Sequence, residues 1–145
     1  MSDALYGPNG FFRRPAPADH FRTSAHTGPV FAAAIARVLA AVDTALDHPA
    51  ELDVVDVGAG QGELLAALEA QVSAELRARL RLRAVEVARR PDHLLDRIGW
   101  DDRLPDRITG LLLATEWLDN VPVEVVMADA DGRARVARSV LEAAS

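Results

Sequence analysis

The chain has 145 residues, of which 50% are hydrophobic and 26% are charged, a composition that suits one globular domain with a hydrophobic core. Its net charge is −6 at pH 7, so the chain does not have the excess of basic residues that is typical of nucleic-acid-binding proteins. The absence of cysteine excludes disulfides, thiolate metal sites and cysteine nucleophiles. No apolar run could span a bilayer and the N-terminus has no hydrophobic signal core, so we expect a cytoplasmic protein without membrane contact.

The N-terminal region is rich in glycine, proline and polar side chains, which predicts an arm over residues 1–28. One domain should follow over residues 29–145. It begins with apolar residues at helical spacing, which predict an amphipathic helix over residues 29–47. The dipeptide His48-Pro49 should end this helix.

Three short apolar segments further along the chain predict buried strands, because each is rich in β-branched residues or leucine and is followed by turn signals. Between the first two, leucines four residues apart predict one helix over residues 62–78. A short helix should begin at Pro91, and residues 99–106 should form a loop. The predicted strands are residues 52–57, 80–87 and 108–114.

The predicted helices alternate with the predicted strands, and this order requires right-handed crossovers that bring parallel strands into one sheet. We therefore predict an α/β fold, Rossmann-like, with a partial parallel sheet covered by helices on both faces. Two later strand-like runs are joined at Asp131-Gly132, a strong hairpin signal, and predict a C-terminal β-hairpin.

The segment DVVDVGAGQG, residues 53–62, places three glycines at alternate positions between the first strand and the next helix. Gly58 should let the chain reverse sharply, Gly60 should leave the backbone open to a ligand, and Gly62 should let the helix begin close to the strand. The free amides at the start of the helix favour an anionic group. The alternative is a tight strand–helix turn that binds nothing.

A carboxylate at the end of the second predicted strand supports a nucleoside ligand. Glu86 lies 28 residues after Gly58, and its two oxygens can accept both hydroxyls of a ribose. Because parallel strands end at the same edge of a sheet, we expect Glu86 beside the glycine turn. The alternative is a solvated strand-end glutamate that pairs with Arg89 or Arg90.

The string D-V-G-A-G-Q-G, with Asp56 two residues before the first glycine, resembles the first motif of class I S-adenosylmethionine-dependent methyltransferases. The resemblance implies a class I methyltransferase fold with S-adenosyl-L-methionine as cofactor. It also implies that Asp56 faces the ammonium group of the cofactor and that the turn packs against the methionyl part. The turn residues so implied are Gly58, Ala59, Gly60 and Gly62.

Methyltransferases of this class often carry an acid near the adenine amino group. Here Asp101 or Asp102 could serve, with Trp100 stacking, and the alternative is that both are acids of a surface loop. The G-x-G-x-G spacing differs from the G-x-G-x-x-G expected for NAD, which disfavours an NAD-dependent oxidoreductase.

The string TEWLDNVPVEVV resembles the N-E-x-x-D-x-x-P-V segment of the MidA family of methyltransferases, and DHFRTSAHTGPVFAAAIARVL resembles that family's N-terminal stretch. Mitochondrial members of the family methylate an arginine and so assist assembly of respiratory complex I. The resemblance implies that Glu116 and Asp119 are catalytic, clamping a guanidinium and helping to remove its proton, with Glu124 as a third candidate. It also implies that Thr23 and Ser24 hydrogen-bond the cofactor.

One of these assignments has a structural alternative, and the resemblance has departures. Asp119 could instead cap the turn before Pro122, and Thr115 stands where the family has asparagine. Family members continue well beyond the hairpin, so we expect a chain truncated at the C-terminus, either a fragment or a shortened form. The sheet edge left by the missing strands would invite an oligomer or another partner.

The residues therefore favour an S-adenosylmethionine-dependent methyltransferase whose acceptor is a protein side chain such as arginine. The alternative is a non-catalytic cofactor-binding or assembly module derived from such an enzyme. We predict no metal site, because no pair among the four histidines has the spacing of metal ligands.

Overall fold

A computed structural model describes residues 7, 29–115, 117–118, 121, 123 and 126–136. The candidate residues Thr23, Ser24, Glu116, Asp119 and Glu124, and the predicted arm, therefore lie outside the described residues apart from residue 7. Along the described chain the elements are α1 (Pro29–Ala45), β1 (Leu52–Val57), α2 (Glu63–Gln71), α3 (Ala74–Arg79), β2 (Leu80–Val85), β3 (Gly99–Asp101), β4 (Gly110–Leu113), β5 (Val126–Ala128) and β6 (Ala134–Val136).

Four of the described strands form a parallel sheet in the order β3-β2-β1-β4. β1 pairs with β2 from Leu52 opposite Leu80, and with β4 from Asp53 opposite Gly110. The chain runs outwards from β1 to β3 and returns to the other side of β1 for β4, so the strand order reverses at β1. This arrangement confirms the predicted α/β fold, and ligands of such sheets bind beyond the carboxyl ends of the strands at the reversal.

β1 is buried on both faces, which explains its almost continuous apolar sequence. One face packs against α1 and α2, where Leu52 and Val54 join leucines of both helices. On the other face Val55 and Val57 join Val85 of β2. Complete burial of a leucine or valine side chain contributes about 1.5–3 kcal/mol, so these two clusters hold β1 firmly in place.

The predicted single helix over residues 62–78 is wrong, because the structure divides it into α2 and α3. Val72 has an extended backbone, and the Ser73 side chain accepts a hydrogen bond of 3.2 Å from the Leu76 amide. A serine in this position caps a new helix and stabilises its first turn. The four-residue spacing of leucines continues across the break between α2 and α3, so the spacing alone does not predict that break.

The short helix predicted from Pro91 is also wrong, since residues 91–98 form turns. The guanidinium of Arg90 donates to the carbonyls of Leu94, Leu95 and Ile98, at 3.3, 3.0 and 2.5 Å. These carbonyls accept hydrogen bonds from one side chain, and the segment forms turns in place of the backbone hydrogen bonds of a helix.

The predicted loop over residues 99–106 contains a strand, because Gly99–Asp101 forms β3 and pairs with β2. The pairing opposes Arg83 to Gly99 and Val85 to Asp101. Three residues that begin with glycine and end with aspartate carry no strand pattern of their own, so the parallel neighbour determines their structure.

The predicted hairpin is confirmed, with β5 and β6 antiparallel and Val126 opposite Val136. Asp129 organises the turn: its Oδ1 accepts from the amides of Asp131 and Arg133, and its Oδ2 accepts from Arg135 Nε. Among the residues that the structure describes, no helix has both the length and the hydropathy needed to traverse a bilayer.

Candidate functional site

The carboxyl end of β1 leads directly into the glycine turn, residues 58–62, and from there into α2. All three glycines of the turn have a left-handed backbone, with φ of +71° at Gly58, +60° at Gly60 and +79° at Gly62. Residues with a Cβ rarely adopt this conformation, so the alternation of glycines follows from the path of the backbone. The Gly58 amide ties the turn to β2 by donating to the Val85 carbonyl at 2.9 Å, and the Gly62 amide closes the turn on itself by donating to the Ala59 carbonyl at 2.8 Å.

The three glycines differ in what a side chain would meet. A Cβ on Gly58 would lie 2.6 Å from Trp117 Cδ1, and a Cβ on Gly62 would lie 2.7 Å from Leu94 Cδ1. A Cβ on Gly60 would find its nearest neighbour, Glu63 Oε2, at 3.9 Å. The chain itself therefore occupies the space beside the outer two glycines, and the space above Gly60 is open to a ligand.

Glu86 follows β2 and reaches the turn, as its position in the sequence predicts. Its Oε2 accepts a hydrogen bond of 3.1 Å from the Gly60 amide. Its Oε1 accepts from the amides of Val87 and Ala88, at 2.7 and 3.1 Å. A carboxylate has about four lone-pair positions, so about one remains for a further donor. To accept two ribose hydroxyls, Glu86 would have to release one of these three amides. The Gly60 amide is the one we expect it to release, because that hydrogen bond connects Glu86 to the glycine turn, whereas the other two are local to Glu86.

Asp56 is the most buried acid of the site, with 4% of its surface exposed. Within the described part of the chain, no hydrogen bond or ion pair reaches its carboxylate. Burial, together with the nearby negative charges of Glu63 and Glu86, raises the pKa of Asp56 to about 7. A cationic ligand would favour the ionised form of this carboxylate and could form an ion pair with it.

Glu63 was not among the residues predicted for the site. Its Oε2 accepts from the Gln61 amide at 3.1 Å, so a second amide of the turn already faces a carboxylate. The signal was present in the sequence, because an acid in the first turn of a helix favours interaction with the free amides there. Leu94 and Trp117 were also missed, and no local pattern links either of them to the glycines that they contact.

Asp101 ends β3 at the same edge of the sheet. Its backbone carbonyl accepts from the Glu86 amide at 2.8 Å, and its exposed carboxylate lies 3.1 Å from Arg83 Nη1. Trp100, beside it, donates from its indole nitrogen to the Ala88 carbonyl at 3.1 Å. The position agrees with a role next to Glu86, and the ion pair with Arg83 also gives Asp101 a partner in the chain itself.

A separate cleft of about 270 Å³ lies between α1 and the α2–α3 junction, at the end of α2 remote from the glycine turn. Its lining is mostly alanine and aliphatic, with Arg37 as its one charged group, and contains no carboxylate. The carboxylates named above lie at the glycine turn and not in this cleft. In the described ranges, no cluster of histidine, aspartate or glutamate could hold a metal ion.

The arrangement at the turn combines an open backbone, three carboxylates and the end of a parallel strand. Such a site favours a ligand that carries positive charge and hydroxyl groups, since carboxylates attract cations and accept hydrogen bonds from hydroxyls. The structure brings together six of the predicted residues, of which Gly62 is at the start of α2: Asp56, Gly58, Ala59, Gly60, Gly62 and Glu86.

Comparison with known proteins gives one family model, described as "Putative S-adenosyl-L-methionine-dependent methyltransferase", which matches residues 34–143. This match spans the glycine turn, Glu86 and the segment after β4. No curated protein sequence matches the chain.

Two solved structures from Burkholderia thailandensis are similar to this chain. One, a "likely methyl transferase" bound to S-adenosyl-homocysteine, is 26% identical with a TM-score of 0.65, and the match covers 99% of this chain and 46% of that one. The other, a native crystal structure of an uncharacterised protein, is 26% identical with a TM-score of 0.64, covering 99% of this chain and 44% of that one. The present chain thus spans less than half the length of either structure.

Proposed function

Since the chain belongs to this family of S-adenosyl-L-methionine-dependent methyltransferases, we propose that it binds S-adenosyl-L-methionine at the glycine turn and forms the cofactor-binding part of a methyltransferase. The observation that carries the proposal is the hydrogen bond between the Gly60 amide and Glu86 Oε2, 3.1 Å long, beside an open backbone. It joins the ends of β1 and β2, where the methionyl and ribose parts of one cofactor would lie.

The residues of the turn fit this cofactor. Gly60 has room above it for a ligand, and the buried carboxylate of Asp56 would receive the cofactor's ammonium group. Glu86 would accept the ribose hydroxyls after release of the Gly60 amide, and Asp101 would lie near the adenine amino group. The similar structure bound to S-adenosyl-homocysteine supports this assignment. Further contacts proposed from the family resemblance come from Gly58, Ala59, Gly62, Thr23 and Ser24.

When bound, the cofactor supplies an activated methyl group on a sulfonium. The chain has to exclude water and align a nucleophile, and proton removal is needed for a cationic acceptor. We propose a protein side chain, such as arginine, as the acceptor and Glu116 and Asp119 as the carboxylates that clamp its guanidinium and take its proton. The resemblance of the TEWLDNVPVEVV string to the acidic segment of the MidA family supports this choice.

The binding proposal is tested by Gly60→Val, with Gly132→Val as its matched control. Both glycines have positive φ, of +60° and +77°, and both have open space around them, but Gly132 lies in the hairpin turn. The two substitutions therefore impose similar backbone strain, and only the first one obstructs the glycine turn. In titration calorimetry with S-adenosyl-homocysteine, we expect Gly60→Val to weaken binding by at least about 100-fold, or about 2.7 kcal/mol. Gly132→Val should bind like the parent, and equal affinities of the two variants would refute the site.

A second function is a non-catalytic module that binds the cofactor and assists assembly of another protein. The observation that favours it is the outer edge of β4 in the described sheet. The outer edge of β4 pairs with none of the described strands, so a partner or a second copy could add a strand there. A methyl-transfer assay on cell extract separates the two functions, because cofactor binding without transfer supports the module and transfer supports the enzyme.

A further inference from the structure

Trp117 is the described residue through which the segment after β4 contacts the glycine turn. Its indole ring lies against Gly58, where an added Cβ would be 2.6 Å from Cδ1 and 3.2 Å from Cγ. Trp117 therefore requires glycine at this position for a steric reason, in addition to the positive φ of the backbone.

The same indole also packs against the buried cluster under the turn. That cluster consists of Val55 and Val57 of β1 and Val85 of β2, and Trp117 covers it together with Ile108. The backbone carbonyl of Val85 accepts from the Gly58 amide at 2.9 Å, so Val85 supports the turn through its backbone and the indole through its side chain. A movement of the turn would consequently displace Trp117, because close-packed groups do not slide past one another freely.

The backbone around Trp117 turns back on itself after β4. The Trp117 amide donates to the Ala114 carbonyl at 3.4 Å, and the Val121 amide donates to the Leu118 carbonyl at 3.2 Å. In the sequence, Trp117 follows Glu116 directly and precedes Asp119 by two residues. The residue that contacts the turn is thus flanked by the two carboxylates proposed to act on the acceptor.

We propose that Trp117 is a positioning residue that couples the cofactor turn to the acceptor segment, residues 114–123. The inference rests on the proposed function, because it assumes that the cofactor binds at the glycine turn. Binding there restrains Gly58, the restrained turn holds the indole, and the indole holds the neighbouring backbone. Removal of the ring should disconnect the two parts while leaving the carboxylates around Gly60 in place.

Hydrogen–deuterium exchange with mass spectrometry tests this coupling without any need for an acceptor or for turnover. S-adenosyl-homocysteine is added to the parent chain, to Trp117→Ala and to Trp117→Phe, and exchange is followed in peptides covering residues 56–63 and 114–123. In the parent we expect slower exchange in both peptides. In Trp117→Ala we expect slower exchange in the turn peptide alone, with protection of residues 114–123 reduced by at least about fivefold, the lower end of usual coupling between sites. Trp117→Phe keeps an aromatic ring on Gly58 and should retain most of the protection.

The outcomes separate this inference from the proposed function. If the parent does not bind S-adenosyl-homocysteine, both are refuted. If the parent binds and Trp117→Ala still protects residues 114–123 to the parental extent, the coupling is refuted and the binding site stands. If Trp117→Ala loses binding altogether, Trp117→Phe decides, since restored binding with protection of both peptides supports the coupling and protection of the turn alone contradicts it.

Discussion

Gly58, Gly60 and Gly62 share a left-handed backbone, but their surroundings differ. Trp117 occupies the space beside the first and Leu94 the space beside the third, while the middle one faces an opening. A pattern of alternating glycines predicts a turn and a ligand, but it cannot separate these reasons, because both neighbours come from distant parts of the chain. The open position is the one at which a substitution should affect binding more than folding.

Asp56 should make the stability of the ligand-free chain depend on pH. Its pKa is raised from 3.8 to about 7, mainly by burial, so the folded state holds a proton that the unfolded state releases between these values. The free energy of unfolding should therefore fall as the pH rises from 4 to 7, by at most about 4 kcal/mol, and then level off. Denaturant unfolding of the parent and of Asp56→Asn across this range measures the effect, and the variant should lack the decline.

A second acid, Asp43, should affect stability at lower pH than Asp56 and in the opposite direction. Hydrogen bonds from Arg79 and then His48 lower the pKa of Asp43, so its stabilising contribution is present above pH 3.8 and is lost as the pH falls below it. Both Asp56→Asn and the parent should therefore lose stability in strong acid. A difference between the two proteins that stays constant from pH 4 to 7 would contradict the assignment to Asp56.

At the scale of elements, the strands with strong apolar patterns could be predicted and those held by their neighbours could not. β1, β2 and β4 each contain at least four residues that are mostly apolar, and all three were predicted. β3 has three residues and exists because β2 offers it a free edge. The same limit applies to the site, where Asp56, Glu86 and the glycines lie close to strand ends, whereas Leu94 and Trp117 reach the turn through tertiary packing.

The segment between β2 and β3 depends on Arg90, which gives a prediction at this scale. Arg90→Ala removes hydrogen bonds to the carbonyls of Leu94, Leu95 and Ile98 and should lower the free energy of unfolding by about 1.5–3 kcal/mol. Arg89→Ala is the control, because the Arg89 side chain is 86% exposed and its ion pair with Asp92 should contribute less than about 1 kcal/mol. Urea unfolding compares the two variants.

Arg90→Ala should also weaken binding of S-adenosyl-homocysteine, because it releases the turns that press Leu94 against Gly62. Calorimetry on the folded variant measures this effect separately from stability. Equal stability and equal affinity of the Arg89 and Arg90 variants would show that the segment holds its shape without the guanidinium.

At the scale of the whole molecule, the site and the core share one strand. β1 lies at the centre of the described sheet, packs against helices on one face and a valine cluster on the other, and delivers its carboxyl end to the cofactor turn. Ligand binding should therefore stabilise the whole cooperative unit and not the turn alone. The excess of acidic side chains, net charge −6, adds a general attraction for a cationic cofactor.

Two leucine substitutions test this unity. Leu65 of α2 is 0% exposed and Leu112 of β4 is 45% exposed, so Leu65→Ala should cost about 2–5 kcal/mol through a cavity under β1, whereas Leu112→Ala should cost less than about 1 kcal/mol. S-adenosyl-homocysteine at 100 times its dissociation constant for the parent chain should then add about 2.7 kcal/mol to the free energy of unfolding of each variant, because the ligand binds the folded form alone. Urea unfolding with and without the ligand measures both quantities. A ligand increment that is absent in Leu65→Ala but present in Leu112→Ala, while both variants remain folded, would mean that the core shapes the turn and does more than support it.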